Sequence, residues 1–372
     1  MTSAGRRPAR RPRALGLGLL LVLAGCRADA PVIGVAVDGD GVPAARMAAA
    51  DVNAAGGIDG DSLVLHVEPG EAVTSARRAI RLAEALADDR AVVAVVGHSN
   101  SAASLAASQI YNARHLPHVA PTTTAPLFSS AGPWSFRLVP DDGRQAAFLA
   151  AELARLGARR VALVYVNDDY GRGLRTALRD RLDRQGTPVA YEAPYLEPTD
   201  TVRLASVARA LAAARPDLLV WLGRPPQLRV VLATLRPLGL DVPVLGSDGI
   251  DLRGVYEHPE DYPRVRFVRF VDPAGPDAAL RAFRARFVAA TGHEPSAEAT
   301  LAYDATMLLA TAMRDGARTR EAIRAYLAAV GASRPPYRGI SGPIAFDSAG
   351  DVRRLHQWAE VRPAGVRTVV PR

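Results

Sequence analysis

The chain has 372 residues, 49% of them apolar and only 6% aromatic, so alanine, valine and leucine must fill the core and the length suits two domains. Its formal charge is +8, but every one of the 46 basic residues is arginine, and removing the five arginines of the leader (6, 7, 10, 11, 13) leaves +3. A charge-driven role would not exclude lysine, and no basic run interleaved with aromatics follows the leader, so nucleic acid is excluded as a partner.

The chain opens with an arginine-rich start, an apolar run over 14–24, and Leu23-Ala24-Gly25-Cys26. Residues 1–25 have the pattern of an export signal peptide, and an apolar run this short does not span a bilayer comfortably. The Leu-Ala-Gly-Cys sequence resembles a lipoprotein processing site, with Cys26 the residue to be lipidated; the plain alternative is a free cysteine. Cys26 is the only cysteine, so the chain forms no internal disulfide.

Strands are predicted over 32–37 and 62–68, with helices over 44–55 and 72–88, the first of them ending at Gly56-Gly57. Residues 91–97 (AVVAVVG) form a valine-rich apolar run, which fits a strand buried on both faces of a parallel sheet. Ser99, Asn100 and Ser101 then cap an alanine-rich helix. A short strand over 118–120 leads to Thr122, Thr123 and Thr124, with Pro126 suited to the first turn of another helix. Two helix starts flanked by hydroxyls at one sheet edge predict a site for a carboxylate or other anion. Capping is the commoner use of such residues.

Residues 136–139 read as a crossing into a second unit of the same kind. Helices follow over 142–156, 171–185, 200–214 and 226–238, with strands over 161–166, 188–195, 217–222 and 242–247. Residues 266–271 are expected to lead back to the first unit. Alternating strands and helices with short links imply an α/β fold of doubly wound parallel sheets.

Several stretches carry a family resemblance: AADVNAAGGIDG (49–60), GHSNS (97–101) with SQIYN (108–112), APTTTAP (120–126), FRLVPDD (136–142), VNDDYGRG (166–173), VPVLGSDG (242–249), AYDA (302–305) and GISGPIAFDSAGD (339–351). In this order and spacing they resemble the bacterial leucine/isoleucine/valine-binding proteins of ABC transporters. The resemblance implies a type I periplasmic-binding-protein fold, with two doubly wound lobes joined by a multi-crossing hinge. Its lobes would be 31–139 plus 273–337 and 140–272 plus 338–372. Helices over 277–291, 296–314 and 319–330 would complete the first, and a hairpin in the tail would return to the second. It also implies a lipid-anchored, exported protein that captures a small ligand, an amino acid of branched-chain type or a relative, and delivers it to an ABC permease. The alternative is a sensory receptor module for a small amide or carboxylate.

Carried over motif by motif, the resemblance places Ser101, Thr122 and Thr124 around the ligand's carboxylate. Tyr170 would cover the ligand and Asp248 would pair with its ammonium; as alternatives, Tyr170 is a core or hinge residue and Asp248 a turn or cap. Two departures stand out. The loop after the first strand is shortened to DGDGVPA (38–44), and Gly-Arg-Pro-Pro (223–226) stands where the family offers an aromatic, so two walls of the pocket are expected to be missing.

No enzyme is indicated. The seven histidines show no HExxH spacing, no G-x-S-x-G elbow occurs, and Gly171-Arg172-Gly173 is followed by Thr176 where a dinucleotide fingerprint needs its third glycine. His98 beside Ser99 and Ser101 lacks an acid partner. No metal or other cofactor is called for.

Overall fold

The computed structural model describes Met1 and residues 32–67, 75–197 and 201–369. The predicted leader with Cys26, and the start of the helix predicted over 72–88, lie outside the described residues.

The first unit runs β1 (Val32–Ala36), α1 (Gly41–Ala54), β2 (Val64–Val67), α2 (Ala76–Asp88), β3 (Val92–Gly97), α3 (Ser101–Ala113), β4 (His118–Ala120) and β5 (Ser135–Arg137). Its five parallel strands lie in the order β2-β1-β3-β4-β5. All six residues of β3 are buried, as a strand covered on both faces requires. Helix α1 ends where Gly57, at φ +69°, donates its N–H to the Val52 carbonyl at 2.9 Å; a Cβ there would collide with the Asp61 carbonyl. The helix expected from Pro126 is a five-residue 3-10 turn (Pro126–Ser130), because Gly132 and Pro133 leave room for little more.

The second unit runs α4 (Asp142–Arg155), β6 (Val161–Val166), α5 (Asp169–Gln185), β7 (Val189–Tyr195), α6 (Thr201–Ala214), β8 (Leu218–Leu222), α7 (Pro225–Leu235), β9 (Val244–Gly246), α8 (Arg253–Glu257) and β10 (Val265–Arg269). Then come α9 (Ala278–Thr291), α10 (Ala297–Arg314), α11 (Arg320–Ala329), β11 (Tyr337–Gly339), β12 (Gly342–Ile344), β13 (Gln357–Arg362) and β14 (Gly365–Val369). The second sheet has the order β14-β13-β10-β9-β8-β6-β7, and its five parallel strands repeat the strand order of the first sheet. Residues 266–271, expected to lead back to the first unit, lie mostly in strand β10, which pairs parallel with β9 and antiparallel with β13 and after which the chain returns to the first sheet. The tail makes two antiparallel pairs where one hairpin was expected: β11 with β12, and β13 with β14.

Helices α10 and α11 pack on β3 of the first sheet, and α10 lies along α1. The chain therefore passes between the sheets after β5, after β10 and before β13. A buried ion pair pins the first of these passages to the third: Arg137 at the end of β5 donates from Nη2 to Asp351 Oδ2 at 2.7 Å, and from Nη1 to the Ala125 carbonyl at 2.9 Å. Losing either partner of such a pair costs about 3–5 kcal/mol.

Beneath β3 and β4, His98 and His118 are wholly buried on either side of Tyr111. His98 Nε2 lies 3.1 Å from the Tyr111 hydroxyl and His118 Nε2 lies 2.8 Å from Ser135 Oγ. Burial pushes His98 down to about 3, helped by the His118 charge, and pushes His118 down to about 4. Each folded pKa lies below the unfolded value near 6.5. The stability each neutral ring contributes is thus complete above pH 6.5 and is lost as pH falls, through about 4 for His118 and about 3 for His98. Imidazole NMR signals of both should remain those of neutral rings at pH 5; protonation of either ring at that pH in the folded protein would contradict this burial.

Candidate functional site

A cleft enclosing about 650 Å³ of atom-free space, part of it open to solvent, lies at the carboxyl ends of the strands of both sheets. Its walls come from the exits of β3 (Ser99, Asn100, Ser101), β4 (Thr122), β6 (Tyr170), β8 (Arg224), β9 (Asp248, Gly249, Asp251, Leu252) and β10 (Phe270), and from the start of α10 (Ala297, Glu298). Ligands of open α/β sheets bind at this edge, at the point where the strand order reverses.

On the first-sheet side the Asn100 carboxamide caps α3, accepting from the Ala103 N–H at 2.9 Å. Thr122 Oγ1 donates to the Ser99 carbonyl at 2.9 Å, and Ser101 Oγ accepts from the Ala125 N–H at 3.3 Å. Ser101 and Thr122 thus line the cleft while tying the two strand exits together. Thr124 is not among the lining residues. It is fully buried, and its carbonyl accepts from the Asp142 N–H at 2.9 Å.

On the opposite side, Asp248 is held through one carboxylate oxygen. Oδ1 accepts from Tyr170 Oη at 2.6 Å and from Gln145 Nε2 at 2.8 Å, while Gln145 Oε1 accepts from the Asp248 N–H at 2.9 Å. Oδ2 takes no hydrogen bond among the described residues. Desolvation raises the Asp248 pKa, against the hydrogen bonds from Tyr170 and Gln145 that favour its charge. Behind it Asp142 is wholly buried, and burial followed by the Asp248 charge raises its pKa well above the carboxylate range. Asp142, the deeper of the two, is pushed up the more strongly, in part by the charge of Asp248 on the cleft wall.

Arg224, from the segment where a wall was expected to be missing, stands in the cleft over the Tyr170 ring. Its guanidinium is 3.3 Å from Asp168 Oδ2 and 3.0 Å from Glu197 Oε2, so its charge is already balanced. After β1 the short loop runs from Asp38 directly into α1, and its N–H donates to Ser99 Oγ at 3.0 Å.

Sequence reasoning brought Ser101, Thr122, Tyr170 and Asp248 to one cleft, and missed Arg224, Asp251, Phe270 and Glu298. Glu298 follows the cap Ser296 and reads in the sequence as an ordinary first-turn acid. Its pKa is raised well above the usual range by desolvation first and then by the charges of Asp38 and Asp40.

Two sheets of like topology sharing a polar cleft at their strand exits define a two-domain solute-binding protein. The chain belongs to the periplasmic binding protein family, whose model matches residues 34–362. That family consists of solute-binding proteins without catalytic activity, which serve transport. An amino acid binding protein of Pseudomonas aeruginosa is 28% identical over 323 residues, 83% of this chain and 81% of that one. A Leu/Ile/Val-binding protein homolog of Brucella abortus is 25% identical over 330 residues, 84% of each chain. Among solved structures, an ABC transporter substrate-binding protein from Desulfitobacterium hafniense in complex with leucine has a TM-score of 0.76 at 25% identity, covering 92% of this chain and all of that one. LivJ from Streptococcus pneumoniae, in complex with isoleucine, reaches 0.82 at 22% identity with the same coverage. A benzoate-bound solute-binding protein from R. palustris reaches 0.78 at 17% identity, covering 91% and 95%, and shares the fold. The fold is that of the type I periplasmic binding proteins.

Proposed function

We propose that this chain is the substrate-binding component of an ABC importer, capturing an amino acid between two lobes and delivering it to a permease. The observation that carries the reading is the division of the cleft by charge. Hydroxyls and the N-terminus of α3 stand on one side, where a carboxylate is favoured. Asp248 stands on the other, with one oxygen held by Tyr170 and Gln145 and the other free for an ammonium. The names of the amino-acid-binding relatives support the same class of ligand. The lobes are 31–139 plus 273–337 and 140–272 plus 338–372.

If Asp248 pairs with the ammonium in a closed cleft, removing its charge leaves a buried cation alone. Asp248→Asn should cost about 3–5 kcal/mol, roughly a hundredfold or more in affinity, with the fold intact. Calorimetry with amino acids and their deaminated analogues checks this. Equal binding of deaminated acids by the wild-type protein would refute the ammonium role.

A ligand touching both lobes binds the closed form better and shifts the population toward it. Small-angle scattering should therefore show a smaller radius of gyration with a tightly bound ligand than without. An unchanged radius at saturation would rule out closure.

The export and anchoring part of the proposal rests on Leu23-Ala24-Gly25-Cys26 after a short apolar run. None of the described helices is long and apolar enough to cross a membrane. Mass spectrometry of the membrane fraction should find Cys26 lipidated, and Cys26→Ser should leave the leader uncleaved or release a soluble protein. An unmodified Cys26 on the mature wild-type chain would overturn this.

A further inference from the structure

Strand β1 starts at the edge of the first sheet that lies opposite the cleft. The Val32 N–H donates to the Ala91 carbonyl at 3.0 Å, so β1 begins beside Arg90 and Ala91, just ahead of β3. Six residue steps separate Val32 from Cys26. A chain at full extension covers about 3.3–3.6 Å per residue, so the two lie at most about 20 Å apart. A lipid on Cys26 therefore keeps this edge close to the membrane that holds it.

The same edge carries a ring pair that the fold does not need. Helix α3 ends in a Schellman turn, in which the Leu116 N–H donates to the Tyr111 carbonyl at 2.9 Å and the His115 N–H to the Asn112 carbonyl at 3.4 Å. Glycine is the usual residue at the left-handed position of such a turn, and here His115 stands there at φ +52°. Its exposed ring stacks on Trp134, just ahead of β5, with centroids 5.0 Å apart and planes 12° from parallel. Trp134 is half-buried, whereas the other two tryptophans, Trp221 and Trp358, are buried. A glycine would make the turn without strain, so the imidazole serves the surface and not the turn.

Arginines flank the pair. Arg90 is exposed and makes no ion pair among the described residues, and Arg324 donates to the Pro133 carbonyl at 3.1 Å, next to Trp134. The nearby acids are matched: Asp88 pairs with Arg114 at 2.7 Å, Asp89 accepts from the Ala91 N–H at 2.9 Å, and the Glu321 charge acts on Arg320. Arg90 and Arg324 are left in excess.

We infer that this edge of the first sheet is a membrane-facing surface, resting on anionic phospholipid headgroups beside the lipid anchor, with His115 and Trp134 at headgroup level and Arg90 and Arg324 toward the phosphates. The inference rests on the reading of Cys26 as lipidated and adds an orientation to it, since the cleft then lies on the far edge of the sheet from that bilayer. Amphipathic rings settle at the boundary between water and acyl chains. Arginine lays its stem along that boundary and gives its donors to phosphate. A short tether presents the surface to the membrane at high effective concentration, so contacts too weak to recruit a free protein suffice to orient this one.

The test uses the full-length protein, processed in cells and reconstituted into vesicles of phosphatidylcholine and phosphatidylglycerol, with and without lipids brominated high on the acyl chain. The Trp134 signal is the emission of the wild-type protein less that of Trp134→Phe. Brominated lipid should lower that signal roughly twofold or more and leave the emission of Trp134→Phe unchanged. His115→Gly should lessen the quenching while unfolding at the same or a higher temperature; a lower unfolding temperature would make the ring part of the fold and overturn the inference. Mass spectrometry of the same sample reads the anchor. Unmodified Cys26 on protein that leaves the vesicles overturns the anchoring reading and this inference with it. Lipidated Cys26 with Trp134 untouched by brominated lipid and open to aqueous acrylamide overturns the inference alone. Trp134 shielded from both quenchers would mean that a protein, such as a second copy, covers the edge, and would overturn it as well.

Discussion

Parallel strands all end on one edge of their sheet, and each must be followed by a crossover that carries the chain back. That constraint, applied twice in the same strand order, decides where chemistry can sit in this protein. Ser101 follows β3, Thr122 follows β4, Tyr170 follows β6, Arg224 follows β8, Asp248 follows β9 and Phe270 follows β10. The strands themselves are spent on the core: β3 and β8 are buried along their whole lengths. Cleft residues can therefore change at the exits without loss to the packing that positions them.

The electrostatics of the second-sheet wall follow from crowding of acids. Two nearby buried carboxyls cannot both ionise cheaply, and the upward push falls most heavily on the deeper one, Asp142. Gln145 binds both the backbone N–H and the side chain of Asp248, which fixes the carboxylate in one orientation. Tyr170 adds a hydrogen bond to the same oxygen and also accepts from the Gly249 N–H at 3.1 Å. Two residues, one from α4 and one from α5, are thus ordered around one oxygen of Asp248, and the other is left for the cleft.

Much of this was legible in the sequence, for reasons that differ from motif to motif. Valine runs and capping residues fix buried strands and helix starts locally, so β3, α3, β6 and α5 could be read directly. The resemblance supplied the two-lobed order, yet many of its motif residues hold structure together and lie outside the cleft. Asp51 accepts from Tyr303 at 2.7 Å, Asn53 clasps the Leu63 backbone, and Asp304 accepts from the Ile340 and Ser341 N–H groups at 2.8 Å. Thr124, expected at the ligand, is buried beside Asp142 because the chain turns inward after Thr122 to begin the passage to β5. Arg224 and Glu298 were missed because what they do depends on long-range placement: Glu298 reaches the cleft only when α10 packs back on the first sheet, some 200 residues after Ser99.

The repeated topology also makes equivalent exits comparable, and they are used in opposite senses. The β4 exit presents Thr122 and the β9 exit presents Asp248, so one position in the frame is a hydroxyl on one sheet and a carboxylate on the other. The β1 exit presents Asp38 and Asp40, where the β6 exit presents Tyr170. Neither half alone matches both ends of a zwitterion: the first-sheet wall favours an anion near α3, and the second favours a cation at Asp248. On the proposed reading, each half offers only part of the binding free energy, and the whole is available only when a ligand's two charges bridge the gap. Complementarity divided in this way makes affinity and closure a single event, because each lobe's contribution depends on the other being in place.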